Sequence, residues 1–418
     1  LRQALAHQPA LQGARFHTEA TEARVTQASA IEFPQVHATA QVFGATDNGT
    51  ATAYLSPADI PRVATRPAAE RTVGDFTPFV SSLAGVGAHY DVLDFGYTRG
   101  TVGAAQAQLE SDQRLEQQTL QDVLYRVTTA YYAAVAAQDA LTLEQDSLKR
   151  SEEHDAYAQA RVKGGLAPPI DLPRSQADVQ AAKLGVIRAQ NGLRVERAAL
   201  DTAIGWTPPS TYSLVRPPED QQPIPEQTEA TNQALSTRYD LSALQAQERA
   251  AEMQRMAANS GHYPRLIATG SVNLRGFDSV PETFNYDVGL LFDLPIFTGF
   301  AVTGQVRESE ARLAELKAKE AAIRDAITFQ LRRARETLSS AREAEVASAA
   351  EVEAAKASLK LAEVRYQQGL GNIVELTDAE AQFDVAQLGL VQSQLSAAVS
   401  RAQLDYALGQ MHAPQGSP

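Results

Sequence analysis

The chain repeats itself, and the repeat limits the possible folds more than any other feature. Leu5-Ala6-His7-Gln8-Pro9-Ala10-Leu11 is matched by Leu235-Ser236-Thr237-Arg238-Tyr239-Asp240-Leu241, and Phe33-Pro34 by Tyr263-Pro264, each about 230 residues later. Further on, Arg161-Val162-Lys163-Gly164-Gly165-Leu166 returns as Arg365-Tyr366-Gln367-Gln368-Gly369-Leu370, and Ala203-Ile204-Gly205 as Ala407-Leu408-Gly409, now about 204 residues apart. An offset that changes once means two homologous halves, the first carrying an extra segment of roughly 26 residues between its matching stretches. The division expected is a first repeat over 1–205, a connector over 206–230, a second repeat over 231–410 and a short tail over 411–418.

Composition removes whole classes of function. Cysteine is absent, which excludes disulfides, thiolate metal sites and cysteine nucleophiles. A formal net charge of -13 argues against nucleic acid as a partner, because phosphate binding needs a basic surface. No apolar run approaches the length of a membrane-spanning helix. The first residues show no charged segment followed by an apolar core, so any export signal is expected to have been removed. A membrane barrel of strands stays open, since its hydrophobic signal is dispersed along the chain.

Four segments alternate with a period of two. Val36, Ala38, Ala40 and Val42 face one way, with Gln35, His37, Thr39 and Gln41 opposite. Val80, Ala84, Val86, Ala88, Tyr90 and Val92 form the second apolar row, against Ser81, Gly85, His89 and Asp91. Leu266, Ala268, Val272 and Leu274 form the third, against Thr269, Ser271, Asn273 and Arg275. Phe284, Tyr286, Val288, Leu290, Phe292 and Leu294 form the fourth, against Asn285, Asp287, Gly289 and Asp293. A water-soluble antiparallel sheet alternates in the same way. Yet each segment has about the ten residues that a tilted membrane strand needs. Four strands cannot close a barrel, and an open edge in lipid leaves backbone groups unsatisfied. Membrane insertion would therefore require several copies of the chain.

Between the strand pairs lie Ala-, Gln- and Glu-rich stretches with coiled-coil spacing. Leu120, Val127, Ala134, Leu141 and Leu148 recur every seven residues, and Val306, Leu313, Leu316, Ile323, Ile327, Leu331 and Leu338 step by sevens, threes and fours. One helix is expected from about Arg99 to Lys163, ended by Gly164-Gly165 and Pro168-Pro169; its counterpart runs from about Val302 to Gln368, ended by Gly369. Each would be roughly 100 Å long. Return helices are expected over Asp171–Ile204 and Val374–Leu408, and leading helices over Leu1–Ile31 and Thr231–Ser260. A leading and a returning helix placed end to end match one long helix, which suggests a cylinder wall. The proline-rich stretch from Trp206 to Glu226 reads as an extended connector, and the region Ala45–Thr77 as a long external loop between the first two strands.

This order of helix, strand pair, long helix, Gly-Leu tip and returning helix resembles the TolC family of trimeric outer-membrane efflux ducts, over nearly the whole chain. The tip motif Arg-x-x-x-Gly-Leu occurs twice, Ile373-Val374-Glu375-Leu376-Thr377-Asp378-Ala379 is similar to the family's second-tip sequence, and Pro295-Ile296-Phe297-Thr298-Gly299 looks like its strand-to-helix turn, with Leu93-Asp94-Phe95-Gly96 as the weaker first-half version. The resemblance implies a mostly α chain with a β-barrel portion. Long helical hairpins would form an α-barrel in the periplasm, and four strands per chain would contribute to a 12-stranded barrel in the outer membrane of a homotrimer. It implies a passive exit duct, coupled through a periplasmic adaptor to an inner-membrane pump.

Candidate site residues follow from the same motifs. By resemblance, Arg161, Gly165, Leu166, Arg365, Gly369 and Leu370 would meet the adaptor's hairpins; the plainer reading is that Gly-Leu only terminates the helix. Glu375 and Asp378 share a helical face, and three copies near an axis would form carboxylate rings that select cations. The family carries paired aspartates there; the plainer reading is acidic residues favoured in a first helical turn. A basic residue that some members carry just before is replaced here by Gly371 and Asn372, which puts a salt-bridged closed-state lock in doubt. His37 and His89 fall on the polar strand faces and read as solvated lining. No nucleophile–base pair, phosphate loop or metal cluster points to an enzyme, a cofactor or a metal. The alternatives are a type I protein-secretion conduit of the same fold and a soluble coiled-coil scaffold. A periplasmic adaptor also carries a coiled-coil hairpin, but normally one, with lipoyl-like modules that this sequence lacks.

Overall fold

The computed structural model describes residues 2–46, 78–206, 212–217, 222–277 and 280–411. In chain order these form α1 (Arg2–His7), α2 (Pro9–Ser29), β1 (Gln35–Thr46), β2 (Pro78–Leu93), α3 (Tyr97–Lys163), α4 (Asp171–Ile204), α5 (Gln227–Thr237), α6 (Tyr239–Ser260), β3 (Arg265–Phe277), β4 (Val280–Asp293), α7 (Ala301–Gln367) and α8 (Ile373–Ala407). A single 3-10 turn, Ala30–Glu32, precedes β1. The long and returning helices lie where the periodicity predicts, within a residue or two. The external loop expected between the first two strands lies almost wholly outside the described residues, as do Pro208, Pro209 and Pro218 of the connector. What is described of that connector, 212–217 and 222–226, is neither helix nor strand.

The leading helices differ from expectation. Each is broken, after His7 in the first half and at Arg238 in the second. These breaks fall at the centre of the repeated heptapeptide, so the motif that announces the duplication is a helix junction. Pro9 opens α2 with no N–H to satisfy, and Arg238 adopts an extended conformation, φ -70° and ψ 127°. The junction fits the end of the return helix. Gly205, at φ 77°, ends α4 with its N–H bonded to Thr202 O, and a Cβ there would lie 2.8 Å from His7 O. Gln8 Nε2 donates to Ala203 O at 2.9 Å. In the second half Gly409, at φ 70°, stands against Thr237, whose hydroxyl donates to Leu408 O at 2.6 Å.

The chain divides into two compact units. One comprises residues 20–110 and 246–317 and holds the sheet, whose order β1-β2-β3-β4 is antiparallel throughout. The pairing of β2 with β3 joins the halves, with Val86 opposite Val272 and His89 opposite Thr269. The even-numbered face is apolar and uncovered: Tyr286 is 77% and Val288 86% exposed, and Val36, Val42, Val86, Val272, Phe284, Leu290 and Phe292 are exposed with them. The opposite face is polar and internally bonded. Ser271 Oγ donates to Asp287 Oδ1 at 2.5 Å, and Asn273 Nδ2 to Ser271 Oγ at 2.6 Å. His37 and His89 lie on it with ring centroids 6.2 Å apart. Leu83, which is buried, and the paired Ile267 and Leu291 are apolar exceptions on this face. Where strands pass into helices, Phe95 and Phe300 hold left-handed backbone at φ 50° and 67°. Asp94 closes the first of these turns by accepting from Thr98 N at 2.7 Å and Gly96 N at 3.0 Å.

The other unit, residues 1–19, 111–245 and 318–418, holds the hairpins. Its two main clusters occupy the same repeat positions. Val123, Val127, Ala134 and Leu200 are buried in the first half, and Ile327, Leu331, Leu338 and Leu404 in the second. Each offset is about 204 residues, so the duplication is one of packing as well as of sequence. Fully burying each such aliphatic side chain contributes about 1.5–3 kcal/mol. The connector packs into the first cluster through Leu214 and Tyr212. Gly205→Ala adds both a close contact and an unfavourable backbone conformation, so it should cost on the order of 1–3 kcal/mol. Thermal unfolding followed by helical circular dichroism checks this; an unchanged transition would contradict the close approach.

Candidate functional site

Both hairpin tips are built by one device. Past Lys163 the chain turns left-handed at Gly165 (φ 69°), with Gly165 N bonded to Val162 O and Leu166 N to Arg161 O. Past Gln367 it does the same at Gly369 (φ 72°), with Gly369 N bonded to Tyr366 O and Leu370 N to Arg365 O. This double closure satisfies the carbonyls left over at a helix C-terminus, and only glycine takes the left-handed step without strain. The glycines therefore serve the turn. The leucines do not: Leu166 is 73% and Leu370 68% exposed.

The repeated arginines divide their work. Each guanidinium reaches forward to the carbonyl of its own tip leucine, Arg161 to Leu166 O at 3.1 Å and Arg365 to Leu370 O at 3.4 Å. Arg161 then crosses to the other hairpin, donating to Tyr366 O at 2.6 Å and lying over the Tyr366 ring at 4.9 Å and the Tyr157 ring at 5.8 Å. Tyr157 makes a parallel crossing, its hydroxyl donating to Gln367 O at 3.2 Å. Thus α3 supplies a cation and a hydroxyl to the carbonyl end of α7, where the helix dipole favours positive charge. Arg365 stays at home and pairs with Glu375 at 2.8 Å.

Glu375 and Asp378 both sit exposed in the first turns of α8. Asn372 caps that helix, its side chain accepting from Glu375 N at 2.9 Å. The Glu375 carboxylate is thus half-neutralised from within its own hairpin, whereas Asp378 is not among the ion pairs of the described residues. The repeat places Asp171 and Arg174 at the corresponding sites of the first tip. Asp171 is buried, and Arg174 reaches Thr377 Oγ1 at 3.4 Å. Acidic rows at equivalent heights therefore do not occur in both hairpins.

Behind the tips the hairpins differ in kind. The second has an apolar core of Leu359, Ala362, Tyr366, Ile373, Leu376, Ala379 and Phe383. The first has Asp155 and Ser175 where the second has Leu359 and Ala379, and Ser175 Oγ donates to Asp155 Oδ1 at 2.6 Å. Between the hairpins runs a polar seam. His154 of α3 pairs with Glu380 of α8, Arg150 pairs with Asp384, and Ser147 Oγ donates to Asp384 Oδ2 at 2.5 Å. Burial and the nearby Asp384 push the Glu144 carboxyl up from its ordinary value. The Tyr366 hydroxyl is also raised, by burial first and then by Asp171, with Arg161 opposing. Sequence reasoning missed Tyr157, Tyr366, His154 and Glu380. A signal was present, since Tyr157 and His154 stand one and two helical turns before Arg161 on the same strip of α3. Among the described residues no group of three or more His, Asp or Glu side chains is placed to hold a metal ion.

Comparison with known proteins agrees with this architecture. The family model for outer membrane efflux protein matches residues 1–206 and 230–410. Protein CyaE of Bordetella pertussis is 25% identical over 305 residues, a stretch that covers 70% of this chain and 63% of that protein. The chain therefore spans less than two thirds of that relative. The outer membrane efflux protein BepC of Brucella suis is 22% identical over 341 residues, covering 80% of this chain and 74% of that one. Among solved structures, the outer membrane protein VceC of Vibrio cholerae superposes with a TM-score of 0.80 at 19% identity, covering 98% of this chain and 94% of that one.

The two arginines should respond differently to substitution. Arg161→Ala removes a charge-assisted bond between hairpins, worth about 1.5–3 kcal/mol, and should raise amide exchange at both tips by about 10- to 100-fold. Arg365→Ala removes a half-exposed pair worth about 0–1 kcal/mol and should change exchange only at the second tip. Equal effects of the two, by hydrogen-exchange mass spectrometry, would contradict the division of labour.

Proposed function

We propose, given that the chain belongs to the outer membrane efflux protein family, that three copies assemble into an exit duct through which an inner-membrane pump and a periplasmic adaptor expel substrates. The observation that carries this reading is the sheet. Among the described residues its even-numbered face is apolar and uncovered, its other face is polar, and β1 and β4 are unpaired edges. No helix of the described residues is long and apolar enough to cross a membrane; the exposed apolar face of the strands is what supports them as the membrane element. In lipid the edge N–H and C=O groups must pair, and pairing β4 of one copy with β1 of the next satisfies them in a closed ring. The polar rows of His37, Ser271, Asn273 and Asp287 then line water. Exposed Ile296, Phe297 and Phe300, beside the strand-to-helix turn, suit the interfacial belt of such a barrel.

At the tips, exposed Leu166 and Leu370 are the anchors for adaptor hairpins, while the glycines shape the turn and the arginines hold it closed. Asp378 carries the charge of the periplasmic aperture more than Glu375 does, because Arg365 already offsets Glu375.

Two measurements test these assignments. In planar bilayers Asp378→Asn should reduce cation preference more than Glu375→Gln; the reverse order, or no change in either, would remove the aperture role. Leu166→Asp with Leu370→Asp should weaken binding of the periplasmic adaptor at least tenfold without altering the mass of the assembly. Unchanged affinity would overturn the docking assignment.

A further inference from the structure

The polar seam between the hairpins contains one layer to which all four hairpin helices contribute. His154 comes from α3, Asp178 from α4, Tyr366 from α7 and Glu380 from α8, around a cavity of about 10 Å³ also lined by Ser151, Ser175 and Thr377. Leu376 and Ile373 close it from the apolar side. The His154–Glu380 ion pair ties α3 of the first hairpin to α8 of the second across this layer, beside the longer contact from Arg174 of α4 to Thr377 of α8. Asp178 Oδ2 and the Tyr366 hydroxyl are buried beside it without a hydrogen-bond partner among the described residues, and His154 Nδ1 and Glu380 Oε1, in ionic contact with each other, have no hydrogen-bond partner either.

The charges facing the layer are mostly negative. From α3 come Glu153 and Asp155; from α4, Asp171 and Asp178; from α7, Glu363; from α8, Glu380 and Asp384. The fixed positive charges are Arg150, Arg161 and Arg174, of which Arg150 is committed to Asp384 and Arg161 to the tip carbonyls. His154 is thus the cation on which the Glu380 side of the layer depends. Without its proton, Glu380 and Asp178 repel each other across the layer, and a buried carboxylate stripped of its partner is strongly destabilising.

We propose that this layer is a pH-set fastener: protonated His154 clamps the second hairpin to the first just behind the tips, and loss of that proton lets the two hairpins separate there. The direction follows from three groups. Burial opposes the His154 charge, but the adjoining Glu380 carboxylate, with Glu363 and Glu153, outweighs it and raises the imidazole from its ordinary value of 6.5. The clamp is therefore fully present below about 6.5 and lost as pH rises through the raised folded value. Asp178 is raised by burial, with Arg174 opposing and Glu380 adding to the rise, and Glu144 is raised as well. A carboxyl raised in the folded state also favours packing at lower pH. All three act in one sense, so acidification tightens the seam and alkalinity loosens it.

The consequence for transport, a periplasmic aperture that opens more readily as pH rises, rests on the duct reading; the fastener itself does not. The chain has no cysteine, so Lys163→Cys and Gln368→Cys give one spin label on each tip of an otherwise unlabelled protein. Labelled chains are diluted into unlabelled ones, so that the measured pair lies within one chain. Pulsed dipolar spectroscopy on the full protein should then give a short, narrow distance below about pH 6.5. That distance should lengthen by several ångströms and broaden toward about pH 9. His154→Gln should abolish the pH dependence, and His154→Lys should keep the short distance at high pH. A distance that stays constant with pH in the unmutated background, or a shift that survives His154→Gln, overturns the fastener. Bilayer conductance separates the two claims: a protein that never conducts fails as a duct, while the distance titration still decides the fastener.

Discussion

A four-stranded sheet that has, among the described residues, one uncovered apolar face and two unpaired edges governs the rest of the molecule. In water the row from Val36 to Phe292 would be an aggregation surface; in lipid the face is at home but the edges are not. Only more strands resolve the conflict, and the chain has no more to offer among its described residues. Self-association thus follows from backbone hydrogen bonding before any functional consideration enters. The duplicated sequence supplies the means, because each half contributes one strand pair and β2 against β3 stitches the pairs into a continuous sheet.

Duplication also explains why the helical unit holds together with so few large side chains. Val123 and Ile327, Val127 and Leu331, and Leu200 and Leu404 fill matching sites, and matching glycines at 205 and 409 let each return helix end against a broken leading helix. Divergence begins beyond those cores. The second hairpin has an apolar cluster behind its tip, whereas the first mixes buried Ala158 and Val179 with the Asp155–Ser175 bond and is tied to the second through Arg161, Tyr157 and His154. One repeat unit has become a post and the other a part fastened to it by polar bonds. Polar fastenings respond to pH and to competing ligands in a way that aliphatic packing does not.

Much of the fold was legible because its signals are periodic. Alternation located four strands, and Gly-Leu and proline punctuation located the ends of α3, α4, α7 and α8 nearly to the residue. The breaks in the leading helices were not foreseen, because a Pro at position 9 and an Arg at 238 sit in otherwise helical context, and the segment each junction fits lies far along the chain, 195 residues away in the first half and 171 in the second. At the tips, the glycine turn and exposed leucines could be read locally. The partners of Arg161 could not, since identical motifs gave no hint that one arginine crosses between hairpins and the other pairs with Glu375. The same holds for Glu380, an acidic residue in an acidic helix until His154 is brought beside it.

The central claim is that the sheet is completed by copies of the same chain in a membrane. The detergent-corrected mass of the purified protein, by light scattering, tests it most directly. The account predicts a stable species of three 45.0 kDa chains that stays in solution only with detergent. A monomer or dimer that remains dispersed without detergent would contradict it, and would return the four strands to a soluble sheet whose apolar face some other partner must cover.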